Sequence, residues 1–187
     1  MTRLYHPFPL SCFEKLKKHT QSYMERFNKD DLYIKDIPIP SELLDEFNAE
    51  MASFNLGGGW NFMCFKRKNF FTETYNVHVD YSHDKGAVNC SIVVPVEGCE
   101  DTHMYWATGD YDLETVLLGN TNNIYANPKW KSKPTIVNRV EISTQPFLTR
   151  VDVPHSVTSR LDGTYRTILS IRIQGNPRFE DVLLQRF

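Results

Sequence analysis

The stretch TYRTILSIRI (residues 164–173) alternates in a way that decides the fold. Successive side chains of a β-strand point to opposite faces. One face therefore carries Tyr165, Thr167, Leu169, Ile171 and Ile173, and the other carries Thr164, Arg166, Ile168, Ser170 and Arg172. A strand with one largely apolar face and one mixed polar face stands between two different environments. The apolar face needs a cover, and the polar face, with Arg166, opens into a barrel mouth or onto solvent.

Upstream, the cover is legible. In SCFEKLKKHTQSYMERF (residues 11–27), Phe13, Leu16, His19 or Thr20, Met24 and Phe27 recur at roughly helical intervals, and Ser11 with Glu14 three residues on reads as a capping box. SELLDEFNAEMASF (residues 41–54) follows Pro40, sets Leu43, Leu44, Phe47 and Met51 on one face, and is stopped by Gly57 to Gly59. Residues 1–59 are thus expected to be a mainly helical support. From Trp60 the chain changes to short β-rich runs: WNFMCFKRK, TETYNVHV, AVNCSIVVPV, THMYWAT, PTIVNRVEI, QPFLTRVDVPHSV and TYRTILSIRI. Seven or eight strands without intervening helices predict an antiparallel sandwich or barrel over residues 60–175. The polar segment 109–133 is long for a structureless loop, so a short helix around Leu113 to Leu118, or a lid, is expected there.

Composition bounds the function. A chain of 187 residues, 41% hydrophobic and 24% charged, is expected to fold as one domain with a sizeable core. A net charge of −2 gives no basic surplus for a phosphate backbone, so nucleic acid is not an expected partner. The cysteines Cys12, Cys64, Cys90 and Cys99 have no CxxC spacing and read as reduced thiols. Two early prolines interrupt any signal-peptide core, and no apolar run approaches the ~20 residues of a membrane span. A cytoplasmic setting is the resulting expectation; oligomeric state is left open.

The chemistry-bearing residues lie in a fixed order. His78-Val79-Asp80 ends a strand-like run, so the two polar side chains share a face and fit either a chelated metal or a solvated surface pair. His155 follows Pro154 at the start of another run, and Arg166 comes eleven residues later on the two-faced strand. His103, His83 and Asp84 read better as surface or packed groups. Arg160 and Arg172 are weaker rivals to Arg166, one in a loop and the other near the far end of its strand.

This set, His78-Val79-Asp80, Pro154-His155 and Arg166 within YRTILSIRI, resembles the motifs of the Fe(II)/2-oxoglutarate-dependent oxygenases, in particular the small prolyl-hydroxylase-like members. The resemblance spans roughly residues 60–173. It implies a mainly β fold with N-terminal helices, a double-stranded β-helix or jelly roll. It implies His78, Asp80 and His155 as ligands of Fe(II), an arrangement that leaves positions for 2-oxoglutarate and O2. It also implies Arg166 as the bidentate partner of the 2-oxoglutarate 5-carboxylate. Asp80 itself favours hydroxylation or oxidative demethylation over halogenation, because halogenating relatives have a small residue there. The substrate, a small molecule or a protein side chain, is not identified by the sequence. Asn76 and Asn89 are the candidates for a second cosubstrate contact. Two alternatives stay open: a cupin-like metal enzyme without a 2-oxo acid, and a non-catalytic β-sandwich binding module.

Overall fold

Tyr165–Ile173 forms a nine-residue strand, and both of its faces are covered. A computed structural model of the chain describes residues 3–27, 32–68, 77–82, 86–117, 124–142, 144–160 and 163–186. In chain order the elements are β1 (Tyr5–Pro7), α1 (Phe13–Met24), β2 (Leu32–Ile34), α2 (Ser41–Ser53), β3 (Trp60–Lys68), β4 (Val79–Ser82) and β5 (Gly86–Ala87). Then come β6 (Cys90–Glu97), β7 (Thr102–Thr108), β8 (Tyr111–Leu117), β9 (Ile124–Trp130) and β10 (Thr135–Glu141). The chain closes with β11 (Phe147–Arg150), β12 (His155–Ser159), β13 (Tyr165–Ile173) and α3 (Phe179–Arg186).

The strands pair antiparallel. A six-stranded sheet runs β1-β11-β6-β13-β3-β2, so β13 is central, between β6 and β3. Facing it are a three-stranded sheet, β10-β7-β12, and a four-stranded one, β5-β4-β9-β8. The result is the expected mainly β jelly roll with helices on one side. On the outer face of the large sheet, Leu169, Ile171 and Ile173 of β13 join Ile92 and Val94 of β6 against Leu16, Phe47, Met51 and Phe179 of the helices. On the inner face a second cluster, including Val93, Met104, Trp106, Phe147 and Ile168, packs between the sheets. β6 is buried along nearly its whole length because it is covered on both faces, which is why CSIVVPV reads as an almost unbroken apolar run.

That run contains Pro95, which cannot donate to a ladder. The register between β6 and β13 shifts there, Ile168 facing Pro95 and Thr167 facing Glu97, so a bulge absorbs the missing donor. The strand then turns at Gly98, whose φ of +62° and proximity to the Tyr165 carbonyl leave no room for a Cβ.

Four local expectations change. Ser11 does not cap α1: its backbone N–H and Oγ donate to the Glu50 carboxylate at 2.6 and 2.9 Å, tying α1 to α2, while Cys12 takes the cap position without a side-chain bond. The expected helix around Leu113 to Leu118 is instead strand β8, paired with β9 and stitched by Glu114–Lys129 at 2.7 Å and Asp112–Lys131 at 3.0 Å. Cross-strand charge pairing and the β-branched Thr115 and Val116 outweigh helix propensity there. The run QPFLTRVDVPHSV divides into β11 and β12, because the chain bends before Pro154. The helical third also contributes two short edge strands, β1 and β2.

Phe47 is fully buried, edge-on to both Trp60 and Phe62. Phe47→Ala is expected to cost about 3–5 kcal/mol in urea unfolding, whereas Leu113→Ala, on the exposed face of β8, should stay within about 0.5 kcal/mol. Equal effects of the two would contradict the helix-covered core.

Candidate metal centre

His78 and Asp80 flank Val79, whose side chain turns into the core, so both point to the same side. His155 opens β12. The two histidines exchange both backbone hydrogen bonds, N–H to C=O at 2.9 Å in each direction, and this pairing sets their rings side by side with centroids 4.6 Å apart. The Asp80 backbone is fixed on both sides, donating to Val151 and accepting from Val88 at 2.9 Å each. The three side chains then converge. His78 Nε2 lies 3.5 Å and His155 Nε2 3.8 Å from Asp80 Oδ1, and one ligand atom from each residue falls within 4.8 Å of the others.

Burial and hydrogen bonding define the state of these groups. His155 Nδ1 lies 2.9 Å from the Val153 carbonyl, which can only accept. That nitrogen therefore carries the proton, and Nε2 turns a bare lone pair toward Asp80. Burial, and then the neighbouring His78, lower the His155 pKa to about 4, so the ring is neutral near pH 7. Burial alone would raise the Asp80 pKa. Arg172, donating from Nη2 to Oδ2 at 3.0 Å, and then His78 override it and hold the carboxyl well below its ordinary range. A bare imidazole nitrogen and a carboxylate oxygen facing each other at 3.8 Å, both buried, are two acceptors with nothing to share. A cation resolves that conflict, so the donor set fits a metal ion of the kind bound by imidazole and carboxylate.

The triad borders a cavity of about 330 Å³ between the two walls of the jelly roll. Arg166, 9% exposed, lines it from β13, with Ser170 and Ile168 on the same face. Val93, Met104 and Val157 supply apolar wall. Two contributors escaped the sequence reading. Arg172 is not a spare cation near the end of its strand but the partner of Asp80; its even spacing from Arg166 was the available signal. Tyr125 of β9 lies against the His78 ring, centroids 4.4 Å apart, and burial raises its pKa so that it stays a neutral phenol.

Other candidates take structural roles. The Asn89 carboxamide donates to the Asn176 carbonyl at 2.7 Å. Beside the site, Trp106, which is not one of these candidates, is fully buried with its indole N–H donating to Arg150 O at 3.0 Å, and it belongs to the core. His103 Nδ1 lies against its neighbour Asp101 O at 3.2 Å, away from the triad. Arg160 is exposed beyond β12. Asn76, His83 and Asp84 lie outside the described residues. All four cysteines are buried and unpaired, and burial foremost raises their thiol pKa values to between about 11 and about 12. Among the described residues, no helix is long and apolar enough to cross a membrane.

No family model matches this chain, and no curated protein does. Among solved structures, it is similar to a prolyl-4-hydroxylase from Pseudomonas putida, with 13% identity, a TM-score of 0.50, and 91% of this chain and 92% of that one covered. AviO1 from Streptomyces viridochromogenes Tue57 follows at 10% identity and TM-score 0.46, covering 93% of this chain and 91% of that one. HygX from Streptomyces hygroscopicus, in a structure with iron bound, gives 12% and 0.42, covering 91% of this chain and 82% of that one. At these identities the likeness to the hydroxylase establishes the fold.

The lowered pKa of His155 has a consequence for the metal-free protein. Between pH 6.5 and about 4 the unfolded chain binds a proton at this residue and the folded chain does not, so stability falls as pH drops through that window. Urea midpoints measured in a chelator at pH 7, 6 and 5 should decline, and His155→Gln should flatten the decline. An unchanged slope in the variant would refute a neutral buried His155.

Proposed function

We propose that this chain is an Fe(II)- and 2-oxoglutarate-dependent oxygenase that hydroxylates or oxidatively demethylates its substrate. The observation that carries the reading is the convergence of His78, Asp80 and His155 on the wall of a cavity whose neighbouring strand presents Arg166. The jelly-roll fold is consistent with it.

In this reading His78, Asp80 and His155 hold the metal. When bound with 2-oxoglutarate and O2, the iron would couple oxidative decarboxylation of the cosubstrate to oxidation of a substrate C–H bond. The residues of the chain do the positioning. Arg172 occupies Asp80 Oδ2 and leaves Oδ1 to the two imidazoles. The Val153 carbonyl fixes the His155 tautomer, so the ring offers a lone pair without first losing a proton. Arg166 takes the far carboxylate of the 2-oxo acid, where its planar fork supplies two parallel N–H donors. Val93, Met104, Ile142, Val157 and Ile168 exclude water from the space between, which strengthens every charge interaction inside.

The test is anaerobic titration with Fe(II) and 2-oxoglutarate, following the weak visible charge-transfer band of the ternary complex. Wild type should develop the band, His78→Ala should lose it, and Arg166→Ala should need about tenfold or more cosubstrate to reach it. Iron retention without 2-oxoglutarate binding would favour a cupin-like metal enzyme, and failure to retain iron would remove the oxygenase reading altogether.

A further inference from the structure

Arg67 stands directly opposite Arg166 in the register between β3 and β13. Both line the cavity, and the pairs that continue the register on this face are Phe65 with Ile168 and Met63 with Ser170. Directly opposed residues of an antiparallel pair have Cβ atoms about 4.5–5.5 Å apart, and like charges placed there repel. The Arg67 side chain makes no hydrogen bond or ion pair among the described residues. It is half-buried, and its charge is felt at the buried Tyr125 hydroxyl beside His78. Among the described residues that line the cavity, Asp80 is the one carboxylate, and Arg172 already pairs with it.

Charge accounting in the loaded site then leaves a surplus. A 2-oxo acid has two carboxylates; in the reading above one lies at the metal and the other at Arg166. Arg67, Arg166, Arg172 and the divalent ion bring five positive charges against three carboxylates, Asp80 and the two of the 2-oxo acid, an excess of two among these groups. Among the described residues Arg67 has no carboxylate to pair with, and it lies in a cavity of low dielectric opposite a second guanidinium, where an oxyanion between or beside the two would relieve the repulsion.

We propose that Arg67 binds an oxyanion, carboxylate or phosphate, on the primary substrate, so that the oxygenase acts on an anionic molecule. The inference rests on the oxygenase reading, and its test separates the two. The protein is first loaded with Mn(II) and the 2-oxoglutarate analogue N-oxalylglycine, each followed by calorimetry. Inorganic phosphate, or acetate in a parallel arm, is then added while paramagnetic broadening of its phosphorus or carbon resonance is recorded. Only an anion held near the metal is broadened, which separates this site from lysines elsewhere on the surface.

Wild type should broaden the anion saturably. Arg67→Gln should weaken that binding about tenfold or more and Arg67→Lys should restore part of it, with N-oxalylglycine affinity unchanged within about twofold. Preference for phosphate over acetate would assign a phosphorylated substrate, and the reverse a carboxylate; either supports the proposal. No broadening in wild type, or broadening that survives Arg67→Gln, would overturn it. So would an Arg67→Gln protein that loses N-oxalylglycine affinity, since Arg67 would then serve the cosubstrate. Failure of wild type to hold Mn(II) or N-oxalylglycine is seen before any anion is added; it would sink the oxygenase reading and this inference with it.

Discussion

His78 and His155, remote in sequence, exchange two backbone hydrogen bonds of 2.9 Å, and the candidate site depends on that exchange. It joins the four-stranded sheet to the three-stranded one and brings two imidazoles side by side. It also fixes Asp80, two residues further along, on the same face as His78. A slip of one residue in this pairing would turn His78 and Asp80 to the opposite side and present Val79 in their place. The neighbouring contacts of Asp80 with Val151 and Val88 oppose such a slip, because each would be broken by it.

With the backbone fixed, electrostatics sets the chemistry. A buried carboxylate is costly unless a cation compensates it, and Arg172 does so from the adjacent sheet. The guanidinium takes one carboxylate oxygen only, so the other faces two imidazole nitrogens. With the His155 tautomer fixed by Val153, its Nε2 lone pair is turned toward the same carboxylate oxygen. The fit of the site to a metal ion thus rests on its hydrogen-bond pattern as much as on its residue types.

β13 connects this chemistry to the core. Its outward face anchors the helices through Leu169, Ile171 and Ile173, while its inward face carries Arg166, Ile168, Ser170 and Arg172 at two-residue intervals. Rigid packing on one side therefore positions the polar groups on the other, and no loop intervenes between the core and these side chains. The same geometry explains the Arg67–Arg166 juxtaposition, since the β3–β13 ladder is continuous over nine residue pairs and sets the two directly opposite each other.

The sequence by itself determined whatever depends on period and spacing. The alternation of residues 164–173 required two environments, the helical spacing around Leu16 and Phe47 supplied one of them, and His78 with Asp80 shared a face because side chains i and i+2 in a strand always do. Local choices with competing outcomes were not legible. Ser11 bonds Glu50 of a distant helix rather than its own, and 113–117 became a strand through its pairing with β9, whose lysines stand diagonal to the acids of β8. Only the tertiary structure decided that His155 meets His78, that Arg172 rather than another cation neutralises Asp80, and that Arg67 faces Arg166. Each of these depends on which strands lie side by side, and that is settled by burying two apolar clusters at once, a long-range balance that no stretch of sequence contains.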